Sequence, residues 1–262
     1  MSKKRKNKRN WKDWLLKISI AFIVILILTT IEHLDIDINK EINEILVKAG
    51  ITVGEEKSIH YNIDLNNIPE YTGNPFIEIN NNKPYFEKND YTTKVFENYS
   101  ELDSLGRCGV AFANICKSLM PTESRESIRE IKPSGWKSTF YPKLVEGDSL
   151  YNRCHLIAYQ LAGENANAKN LITGTRYLNV EGMLPFENKV NDYIRSHNRN
   201  HVLYRVTPIF EGKNLVASGV EMEGYSIEDN GKGICFNIYA YNVQPGVVID
   251  YATGNSHIEK NK

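Results

Sequence analysis

The residues of this 262-residue chain with the clearest chemical potential lie together in the run Tyr151-Asn152-Arg153-Cys154-His155. In an extended strand alternate side chains point to opposite faces, so Arg153 and His155 share one face and Asn152 and Cys154 the other. A neutral imidazole can take a proton from water near neutral pH, and a guanidinium neutralises phosphate charge. The pair therefore indicates phosphate chemistry. Adjacent strand residues cannot form a thiolate–imidazole pair, so Cys154 is interpreted as a packing or disulfide residue.

A second run lies downstream, where residues 170–179 read Asn-Leu-Ile-Thr-Gly-Thr-Arg-Tyr-Leu-Asn and Glu187 follows. Together with Asn-Arg-Cys-His-Leu-Ile at residues 152–157, this run resembles the DNA/RNA non-specific endonucleases of the ββα-metal class. In that family Asp-Arg-Gly-His on a strand precedes a metal-binding Asn on a helix. The resemblance is closest to the streptococcal secreted DNase branch, which has the form Asn-Arg-Cys-His. It implies an α+β fold, with a ββα-metal nuclease core on a mostly antiparallel sheet.

The resemblance also implies a role for each matching residue. His155 corresponds to the general base that activates water, and Arg153 to an arginine near the scissile phosphate. Asn179 corresponds to the single protein ligand of Mg²⁺, for which Mn²⁺ can substitute, and Glu187 to the acid that steadies metal-bound water. Mg²⁺ prefers oxygen ligands and keeps several waters. Zn²⁺ prefers more nitrogen or sulfur ligands than this spacing offers.

The sequence departs from the family pattern at two positions of the motif. Asn152 stands in place of the usual Asp, and Cys154 in place of the usual Gly. Both belong to the strand face opposite Arg153 and His155, so altered packing rather than lost activity is expected. Pro185 is predicted to interrupt the helix between the metal ligand and the downstream acid, which leaves their relative orientation open.

Three further positions are candidates for contact with substrate. Arg176 lies one helical turn before Asn179 and either binds phosphate or forms a surface ion pair. Asn170 either lines the site or caps a helix that follows it. Trp136 either fills the core or stacks on a base, and the core is favoured.

The N-terminus has the composition of a membrane-targeting segment. The first twelve residues hold seven Lys or Arg and no acid, so residues 1–13 are predicted to be a basic cytoplasmic tail. Residues 14–31 are largely apolar and of nearly the length that a bilayer requires. They are interpreted as a transmembrane helix or, alternatively, a cleaved signal helix. The absence of an Ala-x-Ala-like site after the run favours the anchor. Either way the rest of the chain is expected to be extracellular, tethered or secreted.

The remaining chain divides by composition into an acidic juxtamembrane stalk (32–72), the nuclease domain (73–252) and a polar C-terminal tail (253–262). Runs of β-branched and aromatic residues, bounded by turn residues, predict strands within the domain. A proline or hydroxyl residue ahead of an acid predicts where helices start. The predicted strands cover 201–209, 214–220 and 234–243, a strand or short helix covers 107–120, and helices start at 121 and cover 186–195.

The net charge of zero, from 32 basic and 32 acidic residues, conceals an uneven distribution. Residues 107–213, which hold the motif, carry +5, whereas residues 32–106 carry −9 and residues 214–262 carry −3. A local basic groove is what binding to a polyanion requires. The 41% apolar and 24% charged composition excludes a disordered, collagen-like or coiled-coil chain. Four cysteines permit at most two disulfides.

Together these features predict a Mg²⁺-dependent, sugar-non-specific endonuclease that acts on DNA and RNA outside the cell. The membrane is contacted through the N-terminal segment, and no obligate protein partner is indicated. Two alternatives remain open at this point. One is a catalytically silent surface protein of the same fold that binds polyanions or a host partner. The other is a cell-wall hydrolase or adhesin.

Overall fold

The computed structural model of the chain describes residues 68–260. Inter-residue contacts divide the chain into residues 1–68 and 69–262, and every element given below belongs to the second unit. The predicted basic tail, the membrane segment and the stalk up to residue 67 lie outside the described residues. Among residues 68–260, no helix is long and apolar enough to span a bilayer.

Ten strands and two α-helices occur within the described part of the chain, together with short 3₁₀ and π-helical turns. The strands are β1 (Phe76–Glu78), β2 (Glu97–Tyr99), β3 (Ala111–Ile115), β4 (Tyr151–His155), β5 (Leu171–Thr175), β6 (Val202–Ile209), β7 (Gly219–Ser226), β8 (Cys235–Tyr241), β9 (Val247–Ile249) and β10 (Ser256–Ile258). The helices are α1 (Tyr159–Ala162) and α2 (Leu184–Ser196), with 3₁₀ turns at Asn80–Asn82 and Ala168–Asn170 and a π-helical turn at Leu178–Met183.

A six-stranded sheet in the order β1-β8-β7-β6-β3-β2 forms the centre of the unit, and its neighbouring strands all pair antiparallel. One face carries fully buried apolar side chains, among them Tyr204 of β6 and Phe236 of β8. Val190 and Ile194 of α2 belong to the same buried cluster. The predicted α+β class with a mostly antiparallel sheet is therefore confirmed.

A separate antiparallel hairpin of β4 and β5 carries the motif, with Arg153 opposite Thr173 and His155 opposite Leu171. Cys154 is completely buried and belongs to the main core. Arg153 and His155 instead line a cavity. Both side chains of the predicted pair therefore reach one space.

The helical segment that follows β5 starts with a tightly held turn. The hydroxyl of Thr175 accepts a hydrogen bond from the backbone N–H of Leu178 at 2.9 Å and donates one to the carbonyl of Val243 at 2.6 Å. The π-helical turn then leads directly into α2, where Pro185 occupies the first turn. The predicted interruption at this proline is therefore a change from π-helical to α-helical winding, and the helical path continues from Leu178 to Ser196.

Three predicted elements differ from the structure. No helix starts at Pro121, because residues 122–130 place a single apolar side chain, Ile128, among charged and hydroxyl residues and offer no face to bury. The strand predicted for 214–220 begins only at Gly219, since the N–H groups of Leu215 and Val216 both donate to the carbonyl of Tyr251. The predicted C-terminal tail contributes a strand, β10, which pairs with β9.

Candidate active site

A cavity of about 780 Å³ lies beside the β4–β5 hairpin and is lined by Trp136 and by five of the other six residues singled out from the sequence. These five come from three parts of the fold: Arg153 and His155 from β4, Arg176 and Asn179 from the helical segment after β5, and Glu187 from α2. Residues up to 34 positions apart in sequence therefore line one space.

His155 is held in a single tautomer. Its imidazole is 7% exposed, and Nε2 lies 2.9 Å from the carbonyl oxygen of Asn165. Because a carbonyl can only accept, Nε2 carries the proton and donates, which leaves the lone pair on Nδ1. A guanidinium nitrogen of Arg125 lies 3.3 Å from Nδ1 and donates to it.

The surroundings of His155 keep its imidazole neutral. Burial is the main cause that lowers the pKa of His155 to about 4, and the nearby Arg125 guanidinium lowers it further. The hydrogen bond to the Asn165 carbonyl opposes these effects. At neutral pH the imidazole is therefore uncharged, with its one proton on Nε2, and it can accept a second proton at Nδ1.

Arg153 is anchored on the wall of the cavity by backbone carbonyls. Its Nε donates to the carbonyl of Ile131 at 2.5 Å, and its Nη2 donates to the carbonyl of Arg129 at 2.7 Å. Its guanidinium carbon lies 4.0 Å from the centre of the Trp136 ring, a cation–π contact. The sequence leaves two readings open for Trp136, and in the structure its ring packs against the small buried cluster around Tyr151. Arg153 therefore also ties the irregular segment before β4 to the hairpin.

Arg176 and Asn179 also line the cavity and have unused hydrogen-bonding capacity. The Nε of Arg176 is buried without a hydrogen-bond partner among the described residues, and Nη2 is 3.8 Å from a carboxylate oxygen of the largely exposed Glu146. The side chain of Asn179 is partly exposed to the cavity. A buried N–H without a partner costs free energy, which a phosphate oxygen or water entering the cavity would recover.

Glu187 projects from the first turn of α2 into the base of the cavity and is 8% exposed. Burial raises the pKa of Glu187 to about 8, and the charge of Arg125 opposes this rise. Tyr204, whose buried hydroxyl has no hydrogen-bond partner in the described structure, is close enough for its ionisation to be affected by Glu187. Nearby positive charge stabilises the charged form of such a buried carboxyl.

Glu187→Gln is expected to stabilise the folded protein at alkaline pH in the absence of metal. The Glu187 carboxyl ionises near pH 4.5 when unfolded but near pH 8 when folded, so the folded state loses stability as pH rises from 4.5 through 8. The variant should raise the free energy of unfolding by about 2–4 kcal/mol at pH 8 and change it little at pH 5. Urea unfolding in EDTA measures both values. Glu146→Gln, at a side chain 78% exposed, is the matched control and should be neutral, and equal stability of Glu187→Gln and wild type at pH 8 would contradict the burial argument.

Asn170, predicted either to line the site or to cap a helix, is not among the residues that line this cavity. Its side chain is fully buried, and its amide accepts a hydrogen bond from the N–H of Ile157 and donates one to the same residue's carbonyl. A strand, β5, follows it rather than a helix to be capped. Asn170 therefore fixes the chain where it leaves β4 and has no free group to offer a ligand.

The two departures from the family motif differ in position. Asn152 lines the cavity, although strand alternation predicted that it would point away, and its buried Nδ2 has no partner among residues 68–260. Cys154 packs in the core, and burial raises the pKa of its thiol. Cys108, Cys116 and Cys235 are free thiols as well. A nucleophilic role for Cys154 is thereby disfavoured, as the sequence argument predicted.

Arg125, Arg129 and Asn165 were missed in the sequence. Arg125 and Arg129 lie in the irregular segment between β3 and β4 and line the cavity. For the two arginines, the +5 charge of residues 107–213 is the one signal in the sequence, and it does not identify which arginines line the cavity. Asn165 acts through its backbone carbonyl, which every residue type has, so its identity carries no signal at all.

A neutral base that faces a space lined by guanidinium groups suits the attack of water on a phosphodiester, which is the reaction of a nuclease. Comparison with protein families leads to the same class. The family model for the DNA/RNA non-specific endonuclease matches residues 87–228, more than half of the chain, and the chain belongs to this family. It is therefore a nuclease, a hydrolase, and the cell-wall hydrolase, adhesin and catalytically silent alternatives are set aside.

Solved structures of nucleases share the fold. NucA from Streptococcus agalactiae with magnesium ion bound is 25% identical, with a TM-score of 0.63, and the match covers 74% of this chain and 92% of NucA. The metal-free form of NucA matches at 26% identity with a TM-score of 0.62, over 74% of this chain and 92% of that one. The Sda1 nuclease with bound zinc ion is 26% identical, with a TM-score of 0.58, covering 72% of this chain and 97% of Sda1. The resemblance to streptococcal nucleases that the motif predicted is thereby confirmed.

Proposed function

We propose that this protein is a Mg²⁺-dependent endonuclease that hydrolyses both DNA and RNA, with His155 as its general base. The observation that carries the proposal is the state of His155, a neutral imidazole whose Nδ1 lone pair faces a cavity lined by four arginines. The chemistry needs a base at this position, because water attacks a phosphodiester far more readily as it loses its proton.

His155 would accept the proton of the attacking water at Nδ1. The Asn165 carbonyl holds the Nε2 proton, so the ring cannot rotate its lone pair away without losing this hydrogen bond. Arg125 now donates a hydrogen bond to Nδ1. When substrate enters, its guanidinium would instead donate to a phosphate oxygen. The move exposes the base and, by removing a nearby positive charge, also strengthens it.

The arginines of the cavity would hold the phosphodiester against this base. Arg176 has a buried Nε with no present partner, and Arg125 reaches the cavity from an irregular segment. Arg153 has already committed Nε and Nη2 to carbonyls, so Nη1 is the nitrogen with which it can contact phosphate. Phosphate is common to DNA and RNA, and contacts to it carry no sequence information. Low sequence specificity follows from this arrangement.

The donors of the cavity suit Mg²⁺ bound by Asn179, with Glu187 acting on the waters around it. Both side chains offer oxygen, the ligand atom that Mg²⁺ prefers, and they lie one after the other on a continuous helical path. The buried Glu187 carboxyl lacks a compensating cation other than Arg125, and a divalent ion would supply that charge. When bound, the metal stabilises the negative charge that develops on the phosphate and the leaving oxygen.

The N-terminal segment directs the nuclease outside the cell in this proposal. It rests on the basic residues 1–13 and the apolar residues 14–31. The domain is then either tethered by this segment or released by cleavage after it. The intact mass of the exported protein distinguishes the two, because cleavage removes the tail together with the apolar run.

Removal of metal is expected to abolish cleavage. The purified protein should nick and then linearise supercoiled plasmid and degrade single-stranded RNA in Mg²⁺, and it should lose both activities by at least about 100-fold in EDTA, because the metal supplies several kcal/mol of charge stabilisation. Mn²⁺ should substitute, and Zn²⁺ is the comparison ion. Unchanged cleavage in EDTA would contradict metal dependence, and degradation of DNA with RNA left intact would remove the RNA part of the proposal.

A further inference from the structure

Phe140 has the most exposed large apolar side chain among residues 68–260, at 62%. A single exposed apolar side chain needs no special explanation on a protein surface. Phe140, however, lines the same cavity as His155. An apolar ring is therefore presented to solvent in the lining of the cavity that also holds the proposed catalytic base.

The backbone around Phe140 is fixed, although its ring is free. Phe140 forms a β-bridge with Ser149. On either side, the N–H of Tyr141 donates to the carbonyl of Asp148 at 2.8 Å, and that of Leu150 donates to the carbonyl of Thr139 at 3.0 Å. Leu150 is fully buried in the small cluster with Tyr151. Because the backbone that carries the ring is already ordered, binding a ligand would restrict only the side-chain rotation of Phe140.

The other aromatic rings of the cavity are already engaged. Trp136 has the guanidinium of Arg153 over one face at 4.0 Å. Tyr151 is 2% exposed and donates its hydroxyl to the carbonyl of Gly254. The hydroxyl of the half-buried Tyr159 donates to the carbonyl of Glu123. Phe140 is therefore the ring whose faces are most available to a ligand.

The charges of the cavity define what that ligand is. Four arginines line it, and its one acidic side chain, Glu187, is buried at its base. A partner that combines anionic groups with flat apolar rings at short spacing fits both features, and a nucleic acid strand has that chemistry. Every base offers a π-face, so stacking on a protein ring tolerates any sequence.

We propose that Phe140 is a stacking platform for a nucleobase of the bound strand, and that the enzyme consequently binds single-stranded or locally unstacked nucleic acid more tightly than regular duplex. The inference rests on the proposed function and adds a binding subsite to it. In a duplex each base is already stacked on its neighbours, so the platform is reached only by a base that has left the stack.

Binding measurements test the platform without depending on catalysis. Full-length protein carrying His155→Ala is titrated in EDTA against a fluorescent single-stranded oligonucleotide and the matching duplex. Adding Phe140→Ala should weaken single-strand binding by about 5- to 100-fold and change duplex binding less than twofold. Phe140→Trp should retain affinity and show quenching of its indole fluorescence by bound bases, whereas Phe140→Leu should behave like the alanine variant.

Val248→Ala is the matched control, because Val248 is an exposed apolar residue, at 41%, outside the cavity lining. Its affinities should equal those of the parent protein. Unchanged single-strand affinity of Phe140→Ala, or equal losses on single strand and duplex, would overturn the proposal. A separate assay in Mg²⁺ tests the proposed function: cleavage by the His155→Ala parent there would contradict that function without affecting the binding result. Equal thermal melting temperatures confirm that each variant is folded.

Discussion

Replacing His155 by alanine is expected to lower kcat/KM for plasmid DNA by about 10²–10⁴-fold, the range that general base catalysis contributes. The side chain is 7% exposed and its Nε2 proton is fixed by a carbonyl, so no neighbouring group of the cavity reproduces the lone pair of its Nδ1. Affinity for DNA in EDTA should change little, because the arginines remain. His257→Ala, at an exposed histidine of β10, is the matched control.

The pH dependence of the wild-type enzyme provides a second readout of the same prediction. Protonation of His155 removes the base, and burial lowers its pKa to about 4. The acidic limb of kcat/KM should therefore fall between about pH 5 and 4 rather than near 6.5, the value for an unperturbed histidine. Arg125→Gln should move this limb to higher pH, since the guanidinium lowers the pKa of His155. A limb near 6.5 in the wild type, or activity of His155→Ala within twofold of wild type, would contradict these expectations.

Replacing Asn179 by alanine is expected to be the second most damaging change. If its amide oxygen is the protein ligand of Mg²⁺, its loss removes direct coordination, and kcat/KM at fixed Mg²⁺ should fall by about 10²–10³-fold. The Mg²⁺ concentration for half-maximal activity should rise at least about tenfold, because even groups that only support a metal ligand contribute 10–100-fold to affinity. Asn179→Asp, which keeps an oxygen ligand, should retain substantial activity.

The control for Asn179→Ala is Asn198→Ala, an exposed asparagine after α2 that is absent from the cavity lining. Titration of Mn²⁺ by isothermal calorimetry separates metal binding from catalysis. A variant that binds Mn²⁺ as the wild type does but has lost activity would show that Asn179 acts on substrate rather than metal. Full activity of Asn179→Ala at low Mg²⁺ would remove its proposed role altogether.

Local patterns in the sequence predicted the central part of the site. The alternation of a strand predicted that Arg153 and His155 share a face, and both side chains line the cavity. Pro185 at the first turn of α2 likewise marked the start of that helix within two residues. Resemblance to a family then extended the site to Asn179 and Glu187, which line the same cavity.

Features that depend on tertiary contacts could not be predicted in this way. Asn170 looked like a polar site residue, but the backbone of Ile157 takes both of its amide groups. Arg125 and Phe140 come from a largely irregular stretch without periodicity, and their place in the lining of the cavity depends on tertiary contacts of that stretch. Asn152 lines the cavity despite its position in the alternation, and nothing in the structure explains this.

The distribution of charge acquires a structural meaning in the cavity. The +5 of residues 107–213 is an average over many side chains, whereas Arg125, Arg129, Arg153 and Arg176 concentrate positive charge on one space. A protein of zero net charge can thus present a local field that attracts a polyanion. Raising the salt concentration should weaken substrate binding because such contacts release counterions.

The most direct test of His155 as the general base is rescue of His155→Ala by free imidazole. The rate of plasmid nicking in Mg²⁺ is followed while imidazole is added above pH 7, where it is largely the neutral base. The rate should rise at least about tenfold, in proportion to neutral imidazole, because the added ring supplies the missing proton acceptor in the vacated space. Asn179→Ala should show no such rise. A His155→Ala protein that binds DNA and metal normally but shows no response to imidazole, or that needs none, would contradict the assignment of His155 as the base.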